Sequence, residues 1–153
     1  MFIVNVAKAL DAHRVKYALV GGYAVALHGA VRGTVDVDIA IGLSRAAFLK
    51  TEAALRSIGL VPRLPVTAKE VFDFREEYIR NRHLIAWSFV NPQRLIEVVD
   101  VIITEDAAEL DTVKKNIAGT TIRVASIDSL IVIKRKSARP QDLEDVKALE
   151  KLR

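Results

Sequence analysis

Residues 35–41 alternate acidic and apolar side chains at the spacing of a β-strand, in the order Val-Asp-Val-Asp-Ile-Ala-Ile. Asp36 and Asp38 therefore leave the same face of that strand, about 6.6 Å apart at a rise of ~3.3 Å per residue. Two carboxylates this close repel each other unless a positive charge lies between them. Magnesium binds hard oxygen ligands and commonly uses one or two carboxylates together with substrate phosphates. The pair therefore predicts a magnesium site with Asp36 and Asp38 as ligands.

A third acid, Asp100, interrupts an apolar row in a later β-rich run. It shares a strand face with Ile96 and Val98, and a buried acid without a partner is costly. This run is predicted to be the second strand of a β-hairpin, because Asn-Pro-Gln separates it from another β-rich run. If it lies beside residues 35–41, Asp100 becomes the third ligand and can accept the proton of an attacking hydroxyl.

Gly21 and Gly22 separate a short apolar strand, residues 16–20, from a helix predicted over residues 23–28. Glycine lets a phosphate approach the backbone closely, and a helix N-terminus offers free N–H groups. A triphosphate bound there would meet two magnesium ions held by the aspartates. Taken alone, Gly-Gly is more often a plain turn than a phosphate site. Asp-x-Asp alone fits a solvated strand as well as it fits a metal site. The order strand, Gly-Gly, helix, Asp-x-Asp favours the phosphate site.

Hydrophobic periodicity and turn residues predict the remaining elements. Strands are predicted over residues 16–20, 35–41, 84–90, 94–103 and 121–125. Helices are predicted over residues 2–15, 23–28, 45–58 with Ser44 as N-cap, 67–80 in part, 105–116, 127–136 with Ser126 as cap, and 141–152. This order predicts an α+β (mixed α/β) fold, with a small central mixed β-sheet flanked by helices and a helical C-terminal segment. We expect one domain over residues 1–153, with a core at about 16–125 and C-terminal helices at about 126–153.

The composition excludes several classes of site. The chain has no Cys, which rules out disulfides, zinc–thiolate sites and thiol catalysis, and fits a cytoplasmic location. Its apolar runs are far shorter than the ~20 residues of a membrane span, so no membrane partner is expected. The formal charge of +4 would favour a phosphate-bearing ligand, although ordinary surface charge explains it equally well.

These residues resemble the nucleotidyltransferase superfamily of the polymerase-beta type, whose pattern is a Gly-Gly or Gly-Ser turn, a short helix, Asp-x-Asp and a later Asp. The matching positions, in order, are Gly21, Gly22, Asp36, Asp38 and Asp100. The resemblance implies a nucleotidyltransferase fold and magnesium-dependent transfer of a nucleoside monophosphate from a nucleoside triphosphate to a hydroxyl. Asp36, Asp38 and Asp100 would be both the metal ligands and the catalytic residues.

Further residues look like the AbiEii-like, minimal nucleotidyltransferase branch, which is associated with toxin–antitoxin and phage-defence systems. They are Ala24, His28, Gly29, Arg32 and Thr34, with the C-terminal segment around Lys134 and Arg139-Pro140. The resemblance implies that Lys134 binds nucleotide phosphates and that Arg139, Asp142 and Asp145 order or line the site. It also implies a cognate toxin or antitoxin as a possible partner.

Three positions near the motif keep open interpretations. Arg32 either touches phosphate, as a nucleotide-binding residue, or forms an ion pair with an aspartate. Thr34, assigned to the same nucleotide site, supports the loop. His28 has no second His or Cys at metal spacing, which favours a packing or capping residue.

One departure from the family pattern keeps other functions open. Gly22 stands where many active members have serine, so backbone N–H groups would have to hold the triphosphate alone. A non-catalytic toxin–antitoxin partner is one alternative. An RNA-binding module is another, with basic residues 80–82 and 134–136 and with Tyr78 and Trp87 as stacking groups. The acceptor of a transfer reaction could be a tRNA end, a protein hydroxyl or a small molecule such as an antibiotic.

Overall fold

The aspartate-bearing strand lies in the middle of a seven-stranded sheet. The computed structural model describes residues 1–33 and 36–153. In this part of the chain the strands are β1 (Tyr17–Val20), β2 (Val37–Ile41), β3 (Val61–Pro62), β4 (Ala86–Asn91), β5 (Arg94–Asp106), β6 (Thr112–Ile117) and β7 (Thr120–Ala125). The helices are α1 (Phe2–Ala12), α2 (Gly21–Leu27), α3 (Arg45–Ser57), α4 (Ala68–Asp73), α5 (Arg75–Arg82), α6 (Ile127–Ser137) and α7 (Pro140–Leu152).

The sheet order is β3-β4-β5-β2-β1-β7-β6, and both strand directions occur in it. β2 pairs antiparallel with β1 on one side and parallel with β5 on the other. The predicted α+β class with a central mixed sheet is therefore confirmed. β2 has a neighbour on each edge, so two ladders fix its position in the molecule, although the ladder with β5 is irregular between Ile39 and Ile41.

The helices form two groups around this sheet. α3 contacts both α1 and α4, and α2 contacts α6 and α7, which themselves pack as an antiparallel pair. The predicted caps are present, since Ser44 accepts a hydrogen bond from the Ala47 N–H and Ser126 accepts one from the Ser129 N–H. Within the described residues, no helix is both long and apolar enough to cross a membrane.

The prediction of a helix over residues 105–116 is wrong. β5 continues to Asp106, a single 3₁₀ turn covers Ala107–Glu109, and β6 follows at Thr112–Ile117. β6 joins β7 through the two-residue loop Ala118-Gly119, and both loop residues have positive φ, which suits a tight hairpin turn. The helix preference of the residues in this stretch does not outweigh the pairing of β6 with β7.

An aromatic cluster fills the core beneath α3. The rings of Phe48 and Trp87 stack with centroids 5.6 Å apart, and Phe89 meets Trp87 edge-on at 4.6 Å. Trp87 is only 2% exposed, so it is a core residue and cannot stack a base as the RNA-binding interpretation required. Phe72 adds a further edge contact to Phe48.

Phe48→Ala should lower the free energy of unfolding by about 3–5 kcal/mol, because it empties a fully buried ring position in this cluster. Urea denaturation followed by circular dichroism measures the change. Leu49→Ala is the matched control, since the neighbouring Leu49 is 50% exposed. It should change the same quantity by less than about 1 kcal/mol, and equal losses in the two variants would contradict the assigned core.

Candidate active site

Asp38 and Asp100 lie opposite one another on two parallel strands. The β2–β5 register pairs Asp38 with Asp100, and both side chains line one open cavity of about 570 Å³. The expectation that the strand carrying Asp100 lies beside the Asp-x-Asp strand is therefore confirmed. Asp36 lines the same cavity from the residue before β2 and is exposed. Thr34, predicted to belong to this site, lies outside the described residues.

Ser88, which the sequence reasoning missed, holds Asp100 from the other side. The β4–β5 register places Ser88 opposite Asp100, and its Oγ donates a hydrogen bond of 2.5 Å to Asp100 Oδ1. Pairing the two predicted hairpin strands in this register would have found it. A bulge next to the turn, between Val90 and Asn91, makes that register hard to count from the sequence.

The surroundings of Asp38 disfavour its negatively charged form. Burial, followed by the negative charges of Asp100 and Asp36, raises the pKa of Asp38 to about 7, against a smaller opposing effect of Lys134. Near neutral pH the metal-free carboxyl is therefore partly protonated. A divalent cation can replace that proton, because it supplies the counter-charge that the acids lack.

The donor set fits magnesium bound together with a phosphate ligand. Among residues 1–33 and 36–153, no three acidic or histidine side chains form a ready-made metal cage. Magnesium usually keeps one or two carboxylates and completes its shell with water and substrate phosphates. The carboxylate oxygens of Asp38 and Asp100, with Asp36 beside them, supply the hard donors that this coordination requires.

Gly21 is the first residue of α2, and Asp38 packs directly against it. The predicted helix over residues 23–28 thus begins two residues earlier, with both glycines in its first turn. Gly21 has a φ of +71°, and a Cβ there would come within 2.8 Å of Asp38 Cγ. A side chain at Gly21 would therefore displace Asp38, which is a reason for glycine independent of any phosphate. Gly22 is buried and lines the cavity.

The opposite wall of the cavity carries a cluster of ion pairs from the C-terminal helices. Lys134 is only 5% exposed, and its ammonium lies 3.3 Å from Asp142 Oδ1 and 2.9 Å from Asp145 Oδ2. Arg139 binds Asp142 through Nε at 2.8 Å and Nη2 at 3.3 Å. Arg32 reaches the same cluster, with Nε 3.2 Å from Asp145 Oδ1. We refer to these five residues as the ion-pair cluster.

Charge and hydrogen bonding hold Asp142 in its ionised form. Burial alone would raise the pKa of Asp142, but hydrogen bonds from Arg139 and Ser137 and the charge of Lys134 outweigh it, so the pKa lies well below its usual range. In turn, the bond to Asp142 raises the pKa of Arg139, with smaller contributions from the charges of Asp142, Asp38 and Asp145. Arg139 and the three aspartates line the same cavity.

The remaining candidate residues have clear places in the structure. Of the two interpretations of Arg32, the ion pair with an aspartate is present, and Arg32 also lines the cavity. His28 Nε2 donates to the carbonyl oxygen of Ala125 at 2.8 Å and so fixes the end of α2 to β7. The cavity also includes residues that sequence reasoning did not select, namely the apolar Ile85, Ile102 and Ile133, with Thr104 and the ion pair Glu105–Lys136.

Comparison with known proteins identifies the fold. No protein-family model and no curated protein matches the chain. The solution structure of the antibiotic-resistance factor ANT(2'')-Ia matches at 16% identity and a TM-score of 0.64, covering 97% of this chain and 80% of that one. A nucleotidyltransferase-like protein from Paracoccidioides brasiliensis matches at 19% identity and 0.61, covering 96% and 73%. The complex of ANT(2'')-Ia with adenylyl-2''-tobramycin matches at 16% and 0.58, covering 98% and 90%.

At 16% to 19% identity these likenesses establish the fold. The chain has a nucleotidyltransferase-like fold. The three aspartates, the two glycines and every member of the ion-pair cluster except Asp145 line one cavity within it.

Gly21→Ala should lower the free energy of unfolding by about 1–3 kcal/mol, because alanine is strained at positive φ and its Cβ collides with Asp38. Urea denaturation measures the loss. Gly33→Ala is the matched control, since a Cβ at Gly33 meets no heavy atom of the described residues within 4 Å. A stability loss at position 33 as large as that at position 21 would count against the close packing of Gly21 on Asp38.

Asp38→Asn should remove a pH dependence from the stability of the chelator-treated protein. The pKa of Asp38 is about 7 in the folded protein and roughly 4 in the unfolded chain, so folding favours the protonated form. The stabilising contribution is fully present below pH ~4 and falls as the pH rises to ~7, by a few kcal/mol at most. Asparagine, a neutral isostere, lacks this fall.

The measurement is a series of urea unfolding curves from pH 4 to pH 8 in the presence of a chelator. The stability difference, variant minus parent, should grow with pH and level off above ~7. Asp11→Asn changes an exposed acid and should leave the parent's pH profile unaltered. A variant profile parallel to that of the parent would show that Asp38 is not the titrating group.

Proposed function

We propose that this protein is a magnesium-dependent nucleotidyltransferase that moves a nucleoside monophosphate from a nucleoside triphosphate to a hydroxyl acceptor. The observation that carries this proposal is the in-register pairing of Asp38 with Asp100, beside Asp36, in a cavity whose opposite wall bears cations. A nucleotidyltransferase-like fold adds support. A site that joins clustered carboxylates to cations suits a metal-bound polyphosphate, since the metal bridges acid and phosphate.

The three carboxylates have the leading roles in this reaction. Asp36, Asp38 and Asp100 would hold magnesium, which when bound neutralises phosphate charge and stabilises the attacking and leaving oxygens. The acceptor oxygen attacks the α-phosphorus, the bond from that phosphorus to the bridging oxygen breaks, and pyrophosphate leaves. Asp100, oriented by Ser88, would take the proton from the acceptor hydroxyl.

Cavity residues other than the three carboxylates would hold the triphosphate. Gly22 lines the cavity without a side chain, so the backbone stays accessible where many family members have serine. Arg32, Lys134 and Asp142 line the cavity too, and we assign them to the nucleotide side of the site, with Thr34 as a loop support. The apolar residues Ile102 and Ile133 offer a surface suited to the face of a base.

The acceptor belongs to one of three classes. A small molecule has the support of the fold likeness to ANT(2'')-Ia, whose structure with adenylyl-2''-tobramycin covers 98% of this chain. A tRNA end and a protein hydroxyl are the other two acceptors. The resemblance to the AbiEii-like, minimal nucleotidyltransferase branch motivates a cognate toxin or antitoxin partner, and the absence of Cys motivates a cytoplasmic location.

Asp38→Asn and Asp100→Asn should each lower the transfer rate at least roughly hundredfold, because each removes a charge that the metal–phosphate complex needs. The assay supplies each of the four triphosphates, labelled on the α-phosphate, with magnesium and three acceptor pools: cellular RNA, cellular protein and tobramycin. Transfer is counted as label joined to an acceptor, and pyrophosphate is measured in parallel.

Glu144→Gln serves as the control, because Glu144 is an exposed acid on α7 whose partner is Lys147. It should transfer label at the parent's rate. Full activity in Asp38→Asn, or no transfer by the parent with any triphosphate and pool, would contradict the proposed function.

A further inference from the structure

The ion-pair cluster contains one cation that is both fixed in place and open to the cavity. The side chain of Lys134 is 6% exposed and is enclosed by two carboxylates, whereas the side chain of Arg139 is 69% exposed. Both residues line the cavity that contains the three aspartates. The two cations therefore differ in what they can bind, even though they share Asp142 as a partner.

Asp142 holds the Arg139 guanidinium in one orientation. Its carboxylate accepts from Nε and Nη2, and it also accepts from the Arg139 backbone N–H at 3.1 Å. A guanidinium has five N–H donors, so three remain after the two given to Asp142. No other acceptor among residues 1–33 and 36–153 takes one of them. The guanidinium thus keeps unused N–H donors on its open edge, and Asp142 holds it in place before any ligand binds.

The charge of the cluster also favours an anion. Within the cluster, Arg32, Lys134 and Arg139 face two carboxylates, Asp142 and Asp145, which leaves one positive charge in excess. This excess can attract an anion once a bound cation offsets the charge of the three aspartates in the same cavity. Since Lys134 is enclosed and Arg32 is mostly covered, the excess is presented to the cavity by Arg139. Arg139 lines the same cavity as Asp36, Asp38 and Asp100, so a ligand held at the aspartates can extend towards this cation.

Within the proposed function, we infer that Arg139 is the residue that binds the terminal phosphates of the triphosphate, while Lys134 positions Asp142 and Asp145 from within the cluster. Arginine forms paired, charge-assisted hydrogen bonds with phosphate oxygens, and a preoriented fork loses little side-chain entropy on binding. Asp142 acts here as the group that orients Arg139, and its own contact with the nucleotide is not required.

The test uses magnesium with inorganic triphosphate, a probe that has phosphates but neither base nor sugar. Isothermal titration calorimetry gives its dissociation constant for the parent and for Arg139→Ala and Arg139→Lys. Arg139→Ala should weaken binding roughly ten- to hundredfold, which is the effect of losing charge-assisted hydrogen bonds. Arg139→Lys should be weakened too, because one ammonium cannot serve Asp142 and a phosphate as a fork does.

Arg135→Ala is the matched control. Arg135 is an exposed arginine on the same helix pair, bound to Glu150 and outside the cavity. It should bind the probe as tightly as the parent, which separates a local contact from the general loss of one positive charge. Thermal melts of all variants establish that each is folded at the temperature of the titration, and Arg139→Lys keeps a cation for Asp142 if alanine destabilises α7.

Two further ligands distinguish a phosphate contact from a structural role and from another phosphate source. A nucleoside monophosphate lacks the terminal phosphates, so its affinity should be the same for the parent and Arg139→Lys. A short RNA without a 5′-triphosphate should likewise bind both equally. If Arg139→Ala binds inorganic triphosphate as tightly as the parent, or if only the RNA affinity falls, the assignment is overturned.

The outcome can be separated from that of the transfer assay. A parent that binds inorganic triphosphate through Arg139 but transfers no label would contradict the proposed function and support the assignment of Arg139. A parent that transfers label while its Arg139 variants bind inorganic triphosphate normally would support the proposed function and contradict the assignment of Arg139. A parent that binds no triphosphate at all would contradict both.

Discussion

The parallel register between β2 and β5 is the constraint on which the site depends. It places Asp38 opposite Asp100, two carboxylates on neighbouring strands at the centre of the sheet. Because β2 is also paired with β1, neither acid can move away from the other without breaking a ladder. The repulsion is therefore retained in the folded protein, where burial and neighbouring charge raise the pKa of Asp38. A divalent cation would offset that repulsion, and this is the basis on which we propose magnesium at the site.

The C-terminal helices complete the site with the opposite charge. α6 and α7 bring Lys134, Arg139, Asp142 and Asp145 together, and Arg32 joins them from the loop that precedes the aspartates. Buried charges are tolerable only when they are paired, so the pairing of the buried Lys134 with Asp142 and Asp145 restricts how the helix pair docks. The docking leaves Arg139 lining the cavity, so the arrangement that packs the helices also supplies the cation that we propose as the phosphate ligand.

The features that could be predicted from the sequence are those that local chemistry decides. Ser44 and Ser126 were predicted as caps from their positions and do cap α3 and α6. Sequence reasoning failed at residues 105–116, where alanines and acids indicated a helix but long-range pairing with β7 made a strand. Trp87 was misread for the same reason, since its burial against Phe48 depends on elements far apart in the chain. Ser88 was missed because only the hairpin register brings it to Asp100.

The sequence by itself determined the chemical groups of the site, the close spacing of Asp36 and Asp38, and the order of most elements. These follow from side-chain chemistry and local backbone preference. Only the tertiary structure decided that Asp100 meets Asp38, that Gly21 must lack a side chain to admit Asp38, and that Lys134 is enclosed while Arg139 is open. These facts depend on which strands and helices become neighbours. Strand order and burial are settled by the packing of the whole chain, and local spacing carries no information about them.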